Sequence, residues 1–241
     1  MMKGKAESRI FAFTLFGLAA CGFALLLTSC GSVRPQDSVD LAQEGAARPV
    51  WRAGERWIYA WTAGTEKGVK TSEARGVREL KGVPYQVMRM EPLDVYFTPD
   101  MHWAWAASVS ESRVTARAVP PLPWFEWPLR VGRRWDYQGR LEDQQRKELL
   151  RDSYKVVGLE KVMVPAGTFE SIKVVREVNG SVVDEYWYVP DVRWYVKWVG
   201  RRGKEEFQEV LQEHVPAPQT GAPVPSDDRP AGAAGEQRPR P

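Results

Sequence analysis

The chain has 241 residues, of which 43% are hydrophobic and 27% charged, with 34 basic against 31 acidic side chains and a formal net charge of +3. Those proportions suit a soluble domain and exclude a multi-span membrane protein. A balance so close to neutrality gives no electrostatic case for nucleic acid as a partner.

The first segment is a targeting signal. Lys3, Lys5 and Arg9 form a positive region, Ile10 to Leu27 is apolar and uncharged, and the small residues Thr28 and Ser29 precede Cys30. That order is the pattern of a secretory signal peptide, residues 1–29, rather than of a retained membrane span. Leu27-Thr28-Ser29-Cys30 resembles the lipobox of bacterial lipoproteins. The resemblance implies that Cys30 is acylated, becomes the first residue of the mature chain and anchors it to a membrane, since two or three acyl chains hold stably where one is marginal. Gly31 stands where an aspartate would imply inner-membrane retention, which favours the periplasmic side of the outer membrane. Cys21 is removed with the signal, so the mature chain keeps no second thiol for a disulfide, catalysis or metal binding. Removing Lys3, Lys5, Arg9 and Glu7 takes away a net +2 and leaves a mature charge near +1.

Residues 30–48 are small and polar and read as a flexible tether. Residues 215–241 are Pro, Gly, Ala and charge, and read as a disordered tail. The folded part, about Pro49 to His214, is long enough for one domain with a core. It divides into two related β units, 49–127 and 128–214. Gly54-Glu55-Arg56-Trp57-Ile58-Tyr59 matches Gly132-Arg133-Arg134-Trp135-Asp136-Tyr137, and Pro99-Asp100-Met101-His102-Trp103 matches Pro190-Asp191-Val192-Arg193-Trp194, in the same order.

Each unit reads as strands. Trp57, Tyr59 and Trp61 share one face of a strand, as do Trp103 with Trp105 and Trp194 with Val196 and Trp198. Pro120, Pro121, Pro123 and Pro128 mark the seam between the units. Arg140 to Arg151 is either a short helix, supported by Glu142 with Arg146 and Asp143 with Lys147, or a long exposed hairpin arm. Asn179-Gly180 predicts a two-residue hairpin turn. Its simplest register sets Ile172 against Trp187, Val174 against Glu185 and Arg176 against Val183, and leaves neither face purely apolar. The predicted fold is all-β, a twisted antiparallel sheet or half-barrel of two tandem β-meanders.

Chemistry is sparse. His102 and His214 are not in metal-ligand spacing, and there is no Gly-rich phosphate loop, Gly-x-Ser-x-Gly or His-Glu-x-x-His, so neither cofactor nor metal is expected. His102 aligns with Arg193, which points to an exposed cationic role. Asp184-Glu185 and Glu205-Glu206 are adjacent and point to opposite faces of a strand, unlike a general acid and base on one substrate. Asp100 and Asp191 follow proline, where aspartate caps turns. The 11 tryptophans serve either cross-strand packing or an apolar groove for a lipid, peptide or glycan. The candidates for a groove are Trp57, Trp103, Trp124, Trp127, Trp135 and Trp187, with Trp124 and Trp127 between prolines as the best exposed edge.

The run Glu160-x-Val162-x-Val164-Pro165-Ala166-Gly167-Thr168-Phe169, then Trp187-Tyr188-x-Pro190 and Val196-Lys197, resembles a family of uncharacterised bacterial envelope domains over Leu129 to about Leu211. The resemblance implies a β-rich envelope domain and brings no catalytic residues. Trp194 stands where that family carries glycine, which opens the question of the tight turn there. The expectation is a lipid-anchored, non-enzymatic binding or scaffolding module for an apolar small molecule, peptide or envelope protein. The alternative is an envelope glycan hydrolase whose carboxylates the sequence does not pair.

Overall fold

The computed structural model describes residue 41, residues 44–111 and residues 113–218. The signal segment, Cys30 and residues 219–241 of the expected tail lie outside them, whereas Val215, also assigned to that tail, pairs with Arg56 as the last residue of a strand. Twelve strands follow in order: β1 (Arg56–Ala63), β2 (Glu66–Leu80), β3 (Val83–Met90), β4 (Leu93–Phe97), β5 (Trp103–Ser108), β6 (Val114–Leu122), β7 (Arg134–Asp143), β8 (Lys147–Val164), β9 (Gly167–Val178), β10 (Ser181–Val189), β11 (Trp194–Arg202) and β12 (Glu205–Val215). Each pairs antiparallel with the next, and β12 returns to β1 from Arg56↔Val215 to Ala63↔Phe207. The all-β expectation holds, but the open sheet or half-barrel is corrected to a closed barrel. Closure removes the two raw edges that a half-barrel would leave unpaired.

Each proposed unit supplies six strands. The Gly-x-Arg-Trp-x-Tyr motif opens β1 and β7, and the Pro-Asp motif turns β4 into β5 and β10 into β11. Arg140 to Arg151 takes the hairpin form, not the helical one. Leu141 faces Glu148 and Glu142 faces Lys147 across a turn closed by Asp143, whose carboxylate accepts from the Gln145 and Arg146 N–H groups.

Asn179 and Gly180 both take positive φ (52° and 75°), as a type I′ turn requires. Val178 faces Ser181 and Glu177 faces Val182, and then Val183 is inserted as a bulge so that Arg176 faces Asp184. The simple register is thereby corrected: Val174 faces Tyr186 and Ile172 faces Tyr188. One extra residue puts the aromatics of β10 and the aliphatics of β9 on the same inner face.

Alternation along the strands fixes the two surfaces. Trp57, Tyr59, Tyr154, Val156, Ile172, Val174, Tyr186, Tyr188 and Leu211 point into the barrel and are buried. Arg117, Arg134, Arg140, Lys147 and Arg151 point outward and are exposed. A transmembrane barrel presents a continuous apolar band to lipid, and these charges interrupt any such band on this wall. Gly200 shows how tightly the interior is filled. A Cβ there would stand 2.8 Å from the Trp198 ring and 2.9 Å from Asp184 Oδ1.

The chain enters at one end, the base, where Ala46 bridges to Leu129 and Trp51 packs beneath the strands. Residues 44–48, assigned to the tether, thus include a buried contact at Ala46.

Candidate functional site

The motif tryptophans and tyrosines stitch the two halves. The Trp57 indole N–H donates to the Val192 carbonyl (2.8 Å) and the Tyr59 hydroxyl to the Tyr195 carbonyl (2.6 Å). Their counterparts repeat the device at the seam, where Trp135 donates to the Pro123 carbonyl (3.0 Å) and Tyr137 to the Pro120 carbonyl (2.7 Å). Backbone pairing between β6 and β7 covers only Ala116↔Asp143 to Val119↔Arg140. Prolines end the β6–β7 ladder there, because they bring no N–H to it, and side chains take over.

The other candidate tryptophans do not line one groove. Trp103 and Trp124 lie parallel (6.4 Å between ring centroids, 1°) within a basal aromatic plug that includes Trp51, Phe97, Phe125 and Trp194. Trp127 packs on Phe125 and Tyr188. Trp187 points outward from β10, yet Lys173 and Lys197 cover its ring at 4.8 and 4.7 Å and its N–H donates to Glu160 (2.8 Å). Trp57, Trp103 and Trp187 are each at most 7% exposed, and Trp124, Trp127 and Trp135 are half-buried. The structure therefore distributes the six between a plug, a seam and an outer wall.

At the base, Glu55 is fully buried and carries a cluster that the sequence did not single out. Arg193 donates to it from Nε (2.9 Å) and Nη2 (2.6 Å), His214 Nε2 lies 2.8 Å away, and the Arg52 N–H donates at 3.2 Å. Burial alone would raise the Glu55 carboxyl, but the His214, Arg193 and Arg52 hydrogen bonds outweigh it and hold the group below the usual carboxylate range. His214 also stacks on Trp57 (5.8 Å, 15°). Arg193 takes φ 57° and its N–H donates to the Pro190 carbonyl, so the tight turn does form, with its left-handed position at Arg193 rather than Trp194. His102, by contrast, is half-buried and stands 3.2 Å from Glu126, while Asp100 is exposed and pairs with Arg48.

A second cluster fills the interior near the rim. Arg176 donates to Asp152 (2.9 Å) and Asp184 (2.6 Å), and Asp184 also accepts from Arg202 (3.1 Å) and the Trp198 indole (3.1 Å). Two carboxylates and two guanidinium groups leave the set neutral, the arrangement that makes buried charge tolerable. Burial works against the Arg176 charge, and the surrounding Tyr154, Asp184 and Asp152 reverse the sign and raise its pKa. Tyr154 and Tyr137 border the same set. Burial, then Asp152, pushes the Tyr137 phenol up to about 12, and burial pushes Tyr154 up as well. Both phenols therefore stay protonated at neutral pH, and the Tyr154 hydroxyl finds no hydrogen-bond partner among the described residues. A third group joins Tyr195 to Glu209 (2.7 Å) and Lys70 to Glu209 (2.5 Å). The one signal that could have exposed these residues was the mixed face of the β9–β10 hairpin. A strand that sets Arg176 in phase with Ile172 and Val174 points the arginine into the core.

No family model matches the sequence, and no curated protein does. Among solved structures the chain is similar to a candidate lipoprotein from Parabacteroides distasonis (14% identity, TM-score 0.38), covering 72% of this chain and 100% of that one. It is similar to a candidate exported protein with a YmcC-like fold from Bacteroides fragilis (14%, TM-score 0.39), over 70% and 99% of the two chains. A third likeness is to the hypothetical lipoprotein YmcC from Escherichia coli (10%, TM-score 0.34), over 68% and 85%. The barrel assignment rests on the strand register above.

Proposed function

We propose that the chain is a lipid-anchored cell-envelope protein, held through Cys30 on the periplasmic side of the outer membrane, whose barrel binds or scaffolds another envelope component without transforming it. The observation that carries this reading is Leu27-Thr28-Ser29-Cys30, closing an apolar run and standing before a barrel with a charged outer wall. Such a wall does not cross a bilayer, so an acylated first residue is the means of attachment. The filled interior favours a scaffold or a partner on the outer surface over an apolar ligand held among the tryptophans.

Replacing Cys30 with serine in the full chain, expressed in a Gram-negative host, tests the anchor. The variant moves to the soluble fraction while the parent remains with outer membranes on a density gradient. If the variant stays with membranes as firmly as the parent, the reading is wrong.

A further inference from the structure

The outer wall where β6, β7 and the first half of β8 lie side by side carries a concentrated net positive charge. Over the stretch where these strands pair, the outward positions carry Arg117, Arg134, Arg140, Lys147, Arg151 and Lys155 against Asp136 and Glu142, which is six cations to two anions and a net +4, whereas the whole chain carries a net +3. Glu142 is itself buried and draws in three of the cations, Arg117 (2.5 Å), Arg140 (3.6 Å) and Lys147 (3.8 Å), whose side chains remain 51–70% exposed. At the middle of this wall Leu149 faces Arg140, stands between Lys147 and Arg151 along β8, and is 74% exposed. Val119, the partner of Arg140 on β6, is 38% exposed. An apolar side chain projecting from a ring of cations is the chemistry of a surface that meets lipid headgroups. The cations engage phosphates and the apolar tip enters the headgroup–acyl boundary.

The N-terminal segment joins the barrel on this side. Ala46 exchanges backbone hydrogen bonds with Leu129, and the Arg130 guanidinium donates to the Glu44 carbonyl, four residues before β7 begins. The thirteen residues between Cys30 and Glu44 span at most about 45 Å when extended, enough to reach the foot of β7 from a bilayer on which the barrel lies sideways.

We infer that the β6–β8 wall docks on an anionic lipid bilayer, with Leu149 as the inserted tip and Arg117, Arg140, Lys147 and Arg151 on the phosphates. The inference rests on the membrane-anchored reading, and its test leaves the anchor out. Residues 44–218 close their own sheet around their own core and serve as the sample. Sedimentation with phosphatidylcholine vesicles containing about 30 mol% phosphatidylglycerol is compared with pure phosphatidylcholine. The expected result is binding to the anionic vesicles alone, weakened as salt rises. Arg140→Glu with Arg151→Glu lowers the partition coefficient at least about tenfold, and Leu149→Ser lowers it without changing the salt dependence, with the far-ultraviolet spectrum of each variant unchanged. Equal binding to neutral vesicles, full binding by the charge-reversed variant, or a soluble polyuronate that binds the wall as well as vesicles do would overturn it. Failure here leaves acylation of Cys30 standing, and retention of the Cys30→Ser variant on membranes leaves this wall to be judged by the vesicles alone.

Discussion

Replacing Glu55 by glutamine keeps the shape of the side chain and removes one charge from a carboxylate with no exposed surface. Hydrogen bonds to a charged partner contribute about 1.5–3 kcal/mol and neutral ones about 0.5–1.5 kcal/mol, so the bonds from Arg193 and His214 together lose about 2–3 kcal/mol. The Arg193 side chain is 27% exposed, and water screens its share, which leaves about 2 kcal/mol. For a domain of this size that lowers the melting temperature by about 4–8 °C. Thermal unfolding followed by tryptophan fluorescence reads the shift directly. The pH dependence adds a check on the cause. The Glu55 carboxyl is held below its ordinary value in the fold, so its contribution is present above the unfolded carboxylate pKa and disappears as pH falls through the folded one. Parent and variant should therefore differ at neutral pH and converge in acid. Equal melting temperatures at pH 7, or a difference that persists unchanged in acid, would refute the argument.

Three further outcomes follow from the same geometry. Arg193→Ala loses the ion pair and keeps the left-handed backbone strain at φ 57°, whereas Arg193→Gly relieves the strain, so urea unfolding should find glycine about 1 kcal/mol more stable than alanine. Gly200→Ala forces a Cβ into the Trp198 ring and Asp184 and should destabilise by about 1–3 kcal/mol, seen as a lower urea midpoint at an unchanged slope. Arg176→Met strands Asp152 and Asp184 without their shared partner and should destabilise by about 3–5 kcal/mol at neutral pH, with part of that recovered when Asp152 is also made asparagine.

The sequence made the local features legible and left the long-range ones hidden, for physical reasons that particular residues show. Asn179-Gly180 named its turn because positive φ at two successive residues admits few residue types. The two Gly-x-Arg-Trp-x-Tyr motifs marked the first strand of each half because the same donors are used in both. The barrel's closure did not show, since Arg56 meets Val215 across the entire domain and nothing near either residue announces the other. Spacing alone left Arg140 to Arg151 open between helix and hairpin because a tight hairpin brings the same residues near: Asp143 bonds Arg146 within the turn and Glu142 meets Lys147 across it. Arg176 and Asp184 escaped because alternation is read from hydrophobicity, and a paired arginine and aspartate occupy inward positions that the pattern assigns to solvent. The tryptophans drew attention as a groove because large aromatics at an opening and in a plug look alike in one dimension. Their indole N–H partners, all backbone carbonyls in the case of Trp51, Trp57 and Trp135, tell the two apart.

The strand order has a consequence for synthesis. Eleven of the twelve neighbour pairings join strands consecutive along the chain and can form as the polypeptide emerges, but the twelfth must wait for the final strand, Glu205–Val215. Until then the growing sheet presents two ribbons of unsatisfied amides, one on each flank. A product terminated near Gly203 would keep both flanks indefinitely, and its fate would be self-association into aggregates rather than a merely weaker version of the mature molecule.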